Sequence, residues 1–208
     1  MHGPSAQLVT PAELPHAAHR MVPEASVRST PLNVVLIGFM GCGKSTLGAR
    51  LAQMLGLRFV DMDECIVKKA GCSIPEIFAR QGEAGFRGIE SAVLDELAAA
   101  GRMVIATGGG VVTVPENLPK LKALGFVVWL NPPEKAIWNR VSRNRSRPLL
   151  QTPNPRQTVH DLMESRRPLY AAAADLEADT KDLTPDEAAY GIAESVRLHF
   201  SSRPPPLA

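Results

Sequence analysis

The chain has 208 residues, 45% of them hydrophobic and 21% charged, which is enough to bury one sizeable core and short for two. Its 23 basic and 21 acidic side chains leave a formal charge of +2, which argues against a basic coat for nucleic acid and against an acidic disordered tail. Three cysteines cannot complete a disulfide framework and read as free thiols of a reducing, cytoplasmic compartment, and the longest apolar stretches, such as Val34 to Gly43, fall far short of the roughly 20 residues of a membrane span.

Proline usage marks the ends. Of 18 prolines, five lie in the first 31 residues and three in the last 8. Both ends also lack apolar periodicity, so residues 1–30 are expected to form a disordered extension, 31–200 a single folded domain and 201–208 a disordered tail. The extension has no charged start followed by a continuous apolar core, which argues against a secretory signal. Its His16 and His19 make an incomplete metal site.

Within the domain, Val34-Val35-Leu36-Ile37 is a continuous β-branched and apolar run, the pattern of a strand buried on both faces. Leu47, Leu51, Met54 and Leu55 then share one helical face. Phe59-Val60 forms a short second strand, and Ile89, Val93 and Leu97 mark another helix. Two more strands follow, Met103 to Ala106 and Phe126 to Leu130, the latter stopped by Asn131-Pro132-Pro133. Helical patterns cover Glu134 to Val141, Arg156 to Ala174 and Asp186 to Phe200, with a fifth short strand at Leu176 to Asp179. This alternation predicts an α/β fold, a five-stranded parallel sheet with helices on both faces.

Gly38-Phe-Met-Gly-Cys-Gly-Lys44-Ser45 matches G-x-x-x-x-G-K-[ST] in full, between a buried strand and a helix. Gly38, Gly41 and Gly43 let the backbone wrap closely enough to aim successive N–H groups at phosphate oxygens, and the helix N-terminus adds partial positive charge. Lys44 reaches the β- and γ-phosphates and the Ser45 hydroxyl ligates Mg²⁺. Such a loop serves kinases, GTPases and motor ATPases alike. No Asn-Lys-x-Asp element for guanine is present. Ala92-Val93-Leu94-Asp95-Glu96 imitates a motor's acidic strand end, but its spacing with Ile89 and Leu97 is helical, so Asp95 and Glu96 read as a solvated helix face.

Other strand ends carry chemistry too. Asp61-Met62-Asp63 follows the second strand, and strand alternation would put both carboxylates on one side of the chain, one to hold Mg²⁺ through water and one to accept a proton from an alcohol. Capping of the next helix is the structural alternative. Thr107-Gly108-Gly109-Gly110 ends the third strand and exposes backbone N–H groups to a ligand. Arg87, paired at i, i+3 with Glu90, suits a substrate carboxylate. From Arg140 to Arg167 there are seven arginines against Asp161 and Glu164, and Arg147-Pro148-Leu149-Leu150 sits in a polar loop between two helices, as a lid at about residues 143–158 would. Few aromatic side chains lie nearby, which argues against nucleic acid as the partner of this basic stretch.

Gly38 to Thr46, Asp61-x-Asp63, Phe86-Arg87-x-x-Glu90, Gly108-Gly-Gly110, Arg147-Pro-Leu-Leu150 and Arg166-Arg-Pro-Leu-Tyr170, in this order, resemble shikimate kinase over about Asn33 to Phe200. The resemblance implies a P-loop NTPase fold like that of nucleoside monophosphate kinases, with lid and substrate-binding segments. It implies ATP-dependent phosphorylation of the shikimate 3-hydroxyl in aromatic amino-acid biosynthesis, with Mg²⁺. The sequence offers no obvious extra interface, so a cytoplasmic monomer is expected, and charge and apolar length argue against a nucleic-acid or membrane partner. By matching motif, Asp63 contacts the reacting hydroxyl as base, and Arg87 and Arg166 hold the substrate carboxylate, with Arg167 as the alternative to Arg166. Gly108, Gly109 and Gly110 contact substrate hydroxyls. Gly41, Cys42, Gly43, Lys44, Ser45 and Thr46 bind nucleotide, Arg147 closes over the phosphates, and Asp61 supports Mg²⁺ beside Ser45. Phe78 and Phe86 line the substrate domain, and Arg140 and Pro185 sandwich adenine. The rival readings are a gluconate kinase of similar build and a nucleotide-binding regulatory module without catalysis. The Asp61-x-Asp63 pair, Phe86-Arg87 and the triple glycine argue against the first, and intact Lys44, Asp63, Arg87, Arg147 and Arg166 against the second.

Overall fold

A computed structural model describes residues 32–143 and 148–202 of the chain. The expected extension over 1–30, Arg147 at the centre of the expected lid, and the tail prolines lie outside the described residues. The elements run β1 (Asn33–Ile37), α1 (Lys44–Leu55), β2 (Arg58–Asp61), α2 (Met62–Ala70), α3 (Ile74–Leu97), β3 (Met103–Ala106), α4 (Asn117–Leu124), β4 (Phe126–Leu130), α5 (Glu134–Val141), α6 (Pro155–Ala173), β5 (Leu176–Ala178) and α7 (Pro185–Ser201). The five strands form one sheet in the order β2-β3-β1-β4-β5, and every pairing is parallel.

The strand pattern follows from burial on two faces. In β1, Val35 and Ile37 pack into the core beneath α2, α3 and α4, while Val34 and Leu36 pack into the core beneath α1 and α7. Val127 and Trp129 of β4 join the first core, and Phe126, Val128 and Leu130 the second. Alternation survives in space, but both faces are apolar, so the sequence reads as an unbroken run. Buried Asn33 knots three connections at the strand bottoms: its Nδ2 donates to the carbonyls of Leu124 (2.9 Å) and Ala100 (3.3 Å), and its Oδ1 accepts from the Met103 N–H (3.0 Å).

Three helical pieces were not evident in sequence: α2, the first part of α3, and α4. Within α3, Gly82 breaks the helical path with φ 67° and ψ −171°, so two helices meet at an angle there. Asp95 and Glu96 lie on this helix, as its spacing predicts, and their exposed carboxylates pair with Lys120 and Lys69. At the C-terminal side, α7 ends at Ser201, one residue past the expected domain limit. No described helix is long and apolar enough to cross a membrane.

Candidate active site

The C-terminal ends of β1, β2 and β3 open onto one side, where two cavities adjoin. The first, of about 470 Å³, is lined by the 40–47 loop and helix start, Asp61, Asp63, Gly109, Arg140 and the segment before α7. The second, of about 400 Å³, is lined by Phe78, Phe86, Arg87, Gly108, Gly109, Gly110 and Arg166, together with Asp63 and Met40. Met40, Asp63 and Gly109 face both.

The phosphate loop takes the shape its glycines permit. Gly41 (φ 77°) and Gly43 (φ 104°) occupy the left-handed region, and Gly43 sits at the N-cap of α1. Lys44 Nζ donates to the carbonyls of Gly38 (2.7 Å) and Phe39 (3.0 Å), so the buried ammonium spans the loop. Ser45 Oγ donates to Asp61 Oδ2 at 2.6 Å. Two hard oxygen donors from different elements, opening on the phosphate-loop cavity, fit Mg²⁺, which takes one or two protein oxygens and completes its shell with water and phosphate. No cluster of three His, Cys, Asp or Glu side chains among the described residues forms an all-protein metal cage.

The two aspartates are brought together differently from expectation. β2 ends at Asp61 and α2 starts at Met62, so strand alternation does not relate Asp61 to Asp63. Asp61 instead caps α2, its Oδ1 accepting from the Asp63 N–H at 3.0 Å. The helix turn then carries Asp63 to the seam of the cavities. Capping and site geometry are thus one feature, because the cap bond itself fixes the backbone that bears Asp63.

Arg87 enters the acceptor cavity from α3. Its guanidinium donates to Glu90 Oε2 at 2.7 Å and to Glu83 Oε1 at 2.9 Å. Glu90 is fully buried, and its burial pushes the carboxyl upward against the pull of Arg87. Burial disfavours the Arg87 charge as well, but Glu90 and Glu83 together more than offset this and hold the guanidinium protonated more firmly than usual. The result is a guanidinium held between two carboxylates in the wall of the acceptor cavity. Phe86, with Phe78 at a ring-centroid distance of 4.9 Å, forms the apolar wall beside it.

The glycines after β3 are glycines for steric reasons. A Cβ on Gly108 would stand 2.2 Å from Glu90 Oε1, one on Gly109 2.8 Å from the Met40 N atom, and one on Gly110 2.1 Å from Arg87 Nη2. The loop is therefore wedged between the phosphate loop and the Arg87–Glu90 pair. From α6, Arg166 is buried, reaches Gly109 O at 3.1 Å and lies over the Phe39 ring at 5.8 Å. Arg167 points the other way and pairs with exposed Glu164, so of the two neighbours it is Arg166 that lines the acceptor cavity.

Arg140 donates to the Gly41 carbonyl at 3.1 Å and lines the phosphate-loop cavity together with Pro185. Cys42 and Thr46 line it as well. Sequence reasoning quoted Met40, Thr107, Leu149 and Tyr170 within its motifs but gave them no role of their own, and it missed Leu183 and Thr184; all six line a cavity or support its loops. For Leu183 and Thr184 the one signal available was adjacency to Pro185.

The sequence profile described as shikimate kinase matches residues 40–197. The chain is 49% identical to the shikimate kinase of Synechococcus sp. (strain CC9902), over 78% of this chain and 84% of that protein. It is 46% identical to that of Thermodesulfovibrio yellowstonii, over 77% and 92%. Among solved structures it is similar to the shikimate kinase from Acinetobacter baumannii in complex with shikimate, with a TM-score of 0.78, 40% identity and coverage of 84% of this chain and 97% of that one. A gluconokinase from Sinorhizobium meliloti, at 18% identity and a TM-score of 0.52, shares the fold alone.

Proposed function

The chain belongs to the shikimate kinase family, and on that premise we propose how it performs the family's reaction, transfer of the γ-phosphoryl group of ATP to the 3-hydroxyl of shikimate in aromatic amino-acid biosynthesis. The observation that carries the proposal is that Asp63 lines both cavities. Nucleotide occupies the cavity of the phosphate loop, acceptor occupies the cavity of Arg87, and the reacting hydroxyl lies between them at Asp63.

On the nucleotide side, the N–H groups of Gly41, Cys42 and Gly43 and the start of α1 at Ser45 and Thr46 cradle the phosphates. Lys44 exchanges its bonds to the Gly38 and Phe39 carbonyls for phosphate oxygens. Arg140 and Pro185, which share this cavity, flank the base. Ser45, with Asp61 through water, would hold Mg²⁺, which would supply positive charge against that of the phosphates. Arg147, outside the described residues, keeps its assignment to the phosphates by motif.

On the acceptor side, Arg87 and Arg166 bind the carboxylate, Phe78 and Phe86 cover the ring, and the Gly108–Gly110 backbone meets the hydroxyls. Asp63 orients the 3-hydroxyl and accepts its proton as the oxygen attacks phosphorus. Alignment and charge neutralisation do most of the work, since phosphoryl transfer asks little covalent chemistry of the protein. Residues 31–200 act as one kinase domain, a monomer working in the cytoplasm without nucleic acid or membrane.

An ADP-release assay with Mg-ATP tests the reading. Shikimate-dependent release is expected, with none for gluconate and none without acceptor. Asp63→Asn is expected to lower kcat by about 100-fold or more while leaving nucleotide affinity within about twofold. Equal turnover by that variant removes Asp63 from the mechanism.

A further inference from the structure

The Gly108–Gly110 loop belongs to no strand or helix, yet its central carbonyl is gripped. Gly109 O accepts from Arg166 Nη1 at 3.1 Å and from the Tyr170 hydroxyl. The two donors are four residues apart on α6 and so project from one face. Tyr170 is 2% exposed, and its ring stacks on Trp129 of β4 with centroids 5.8 Å apart, so the sheet itself sets where the hydroxyl sits. Burial raises the phenol well above its usual range, which keeps it a donor.

We infer that Tyr170 is a positioning residue for the acceptor: by holding the Gly109 carbonyl it aims the N–H of Gly110 at a ring hydroxyl of the bound substrate. The link is peptide planarity. In a trans peptide the carbonyl and the following N–H point in opposite directions, so anchoring Gly109 O to α6 turns the Gly110 N–H away from α6. Gly110 lines the acceptor cavity with Arg87 and Asp63. Arg166 cannot do this task alone, because in the acceptor reading above its guanidinium turns to the substrate carboxylate. The Tyr170 hydroxyl then keeps the carbonyl in place. The inference rests on that reading of the acceptor and deepens it.

The test is Tyr170→Phe, which removes one oxygen and keeps the stacked ring. Steady-state kinetics would be run with shikimate and with two analogues, each lacking one of the non-reacting ring hydroxyls. The shikimate KM is expected to rise about tenfold, with kcat and the ATP KM changed by less than about twofold. With one analogue the penalty of the substitution is expected to vanish, because the hydroxyl that the N–H served is gone. A general loosening of the fold would instead penalise all acceptors and ATP alike. An unchanged shikimate KM, or the same factor for every acceptor, overturns the inference while wild-type turnover of shikimate leaves the acceptor reading standing. Wild-type failure to phosphorylate shikimate overturns both. Should Tyr170→Phe not fold, Trp129→Phe keeps the hydroxyl but loosens its platform. A smaller rise with the same acceptor dependence is then expected, and no rise overturns the inference.

Discussion

The Ser45 hydroxyl donates to Asp61 Oδ2 at 2.6 Å, tying the first turn of α1 to the end of β2. In the proposed reading Ser45, with Asp61 through water, would hold Mg²⁺, and Asp61 also caps α2 through the Asp63 N–H. Asp61→Asn separates the two duties, because asparagine caps as well as aspartate but carries no charge. The Mg²⁺ concentration for half-maximal activity is expected to rise about tenfold, with the melting temperature nearly unchanged. A Mg²⁺ titration of activity beside a thermal melt checks this. No change in either quantity would assign Asp61 to the cap alone.

Adjacent glycines should separate the two substrates. A Cβ on Gly110 meets the Arg87 guanidinium, which Glu90 and Glu83 hold in place. Gly110→Ala is expected to displace Arg87 and raise the shikimate KM by about tenfold or more, leaving the ATP KM alone. A Cβ on Gly109 meets the Met40 backbone of the phosphate loop, so Gly109→Ala is expected to raise both KM values. Two-substrate kinetics on both variants decide the matter.

Gly48 lies on the buried face of α1, where a Cβ would stand 2.7 Å from Phe59 Cε2 and 3.1 Å from Leu36 Cδ1. Alanine improves helix propensity by about 1 kcal/mol, but forcing an atom into this contact costs about 1–3 kcal/mol. Gly48→Ala is therefore expected to lower the midpoint of urea unfolding without changing its slope. A raised midpoint would mean that Phe59 yields freely.

His160 on α6 and Glu134 on α5 bond at 2.9 Å, and the carboxylate raises the imidazole above its ordinary value. Asp161 and Glu164 on its own helix act in the same direction. A base with a raised folded pKa contributes stability that is complete below its unfolded value, about 6.5, and is lost as pH climbs through the folded one. Both groups are exposed, so the effect is small. The melting temperature of the wild type minus that of His160→Gln is expected to be positive near about pH 5.5 and to shrink toward about pH 8.5. A difference that stays constant across that range would mean the pair contributes no charge interaction.

The central strands were legible because parallel strands covered on both faces must be apolar throughout, and all five were found. The helices that were missed carry weaker signatures. In α2 only Met62 and Ile66 are buried, and in α4 only Asn117, Leu121 and Leu124, too few for a periodicity to stand out. The break at Gly82 hid the first part of α3 in the same way, since a glycine in a helical stretch reads as a terminus.

At the site, the amino-acid sequence by itself determined the chemistry on offer: a phosphate loop whose glycines, lysine and serine are contiguous, and the Arg87–Glu90 pair, because groups three residues apart on a helix meet whatever the rest of the chain does. Tertiary structure alone decided what depends on distant segments meeting. It turned Arg166 into the acceptor cavity and Arg167 outward, a choice made by the packing of α6 on the sheet and invisible in two adjacent identical residues. It set Asp61 and Asp63 by a helix cap where strand alternation had been expected. It brought Tyr170 beneath Gly109, 61 residues away. Local spacing is written in the chain, whereas the direction of a side chain into a shared cavity is fixed only once the sheet and its covering helices are assembled.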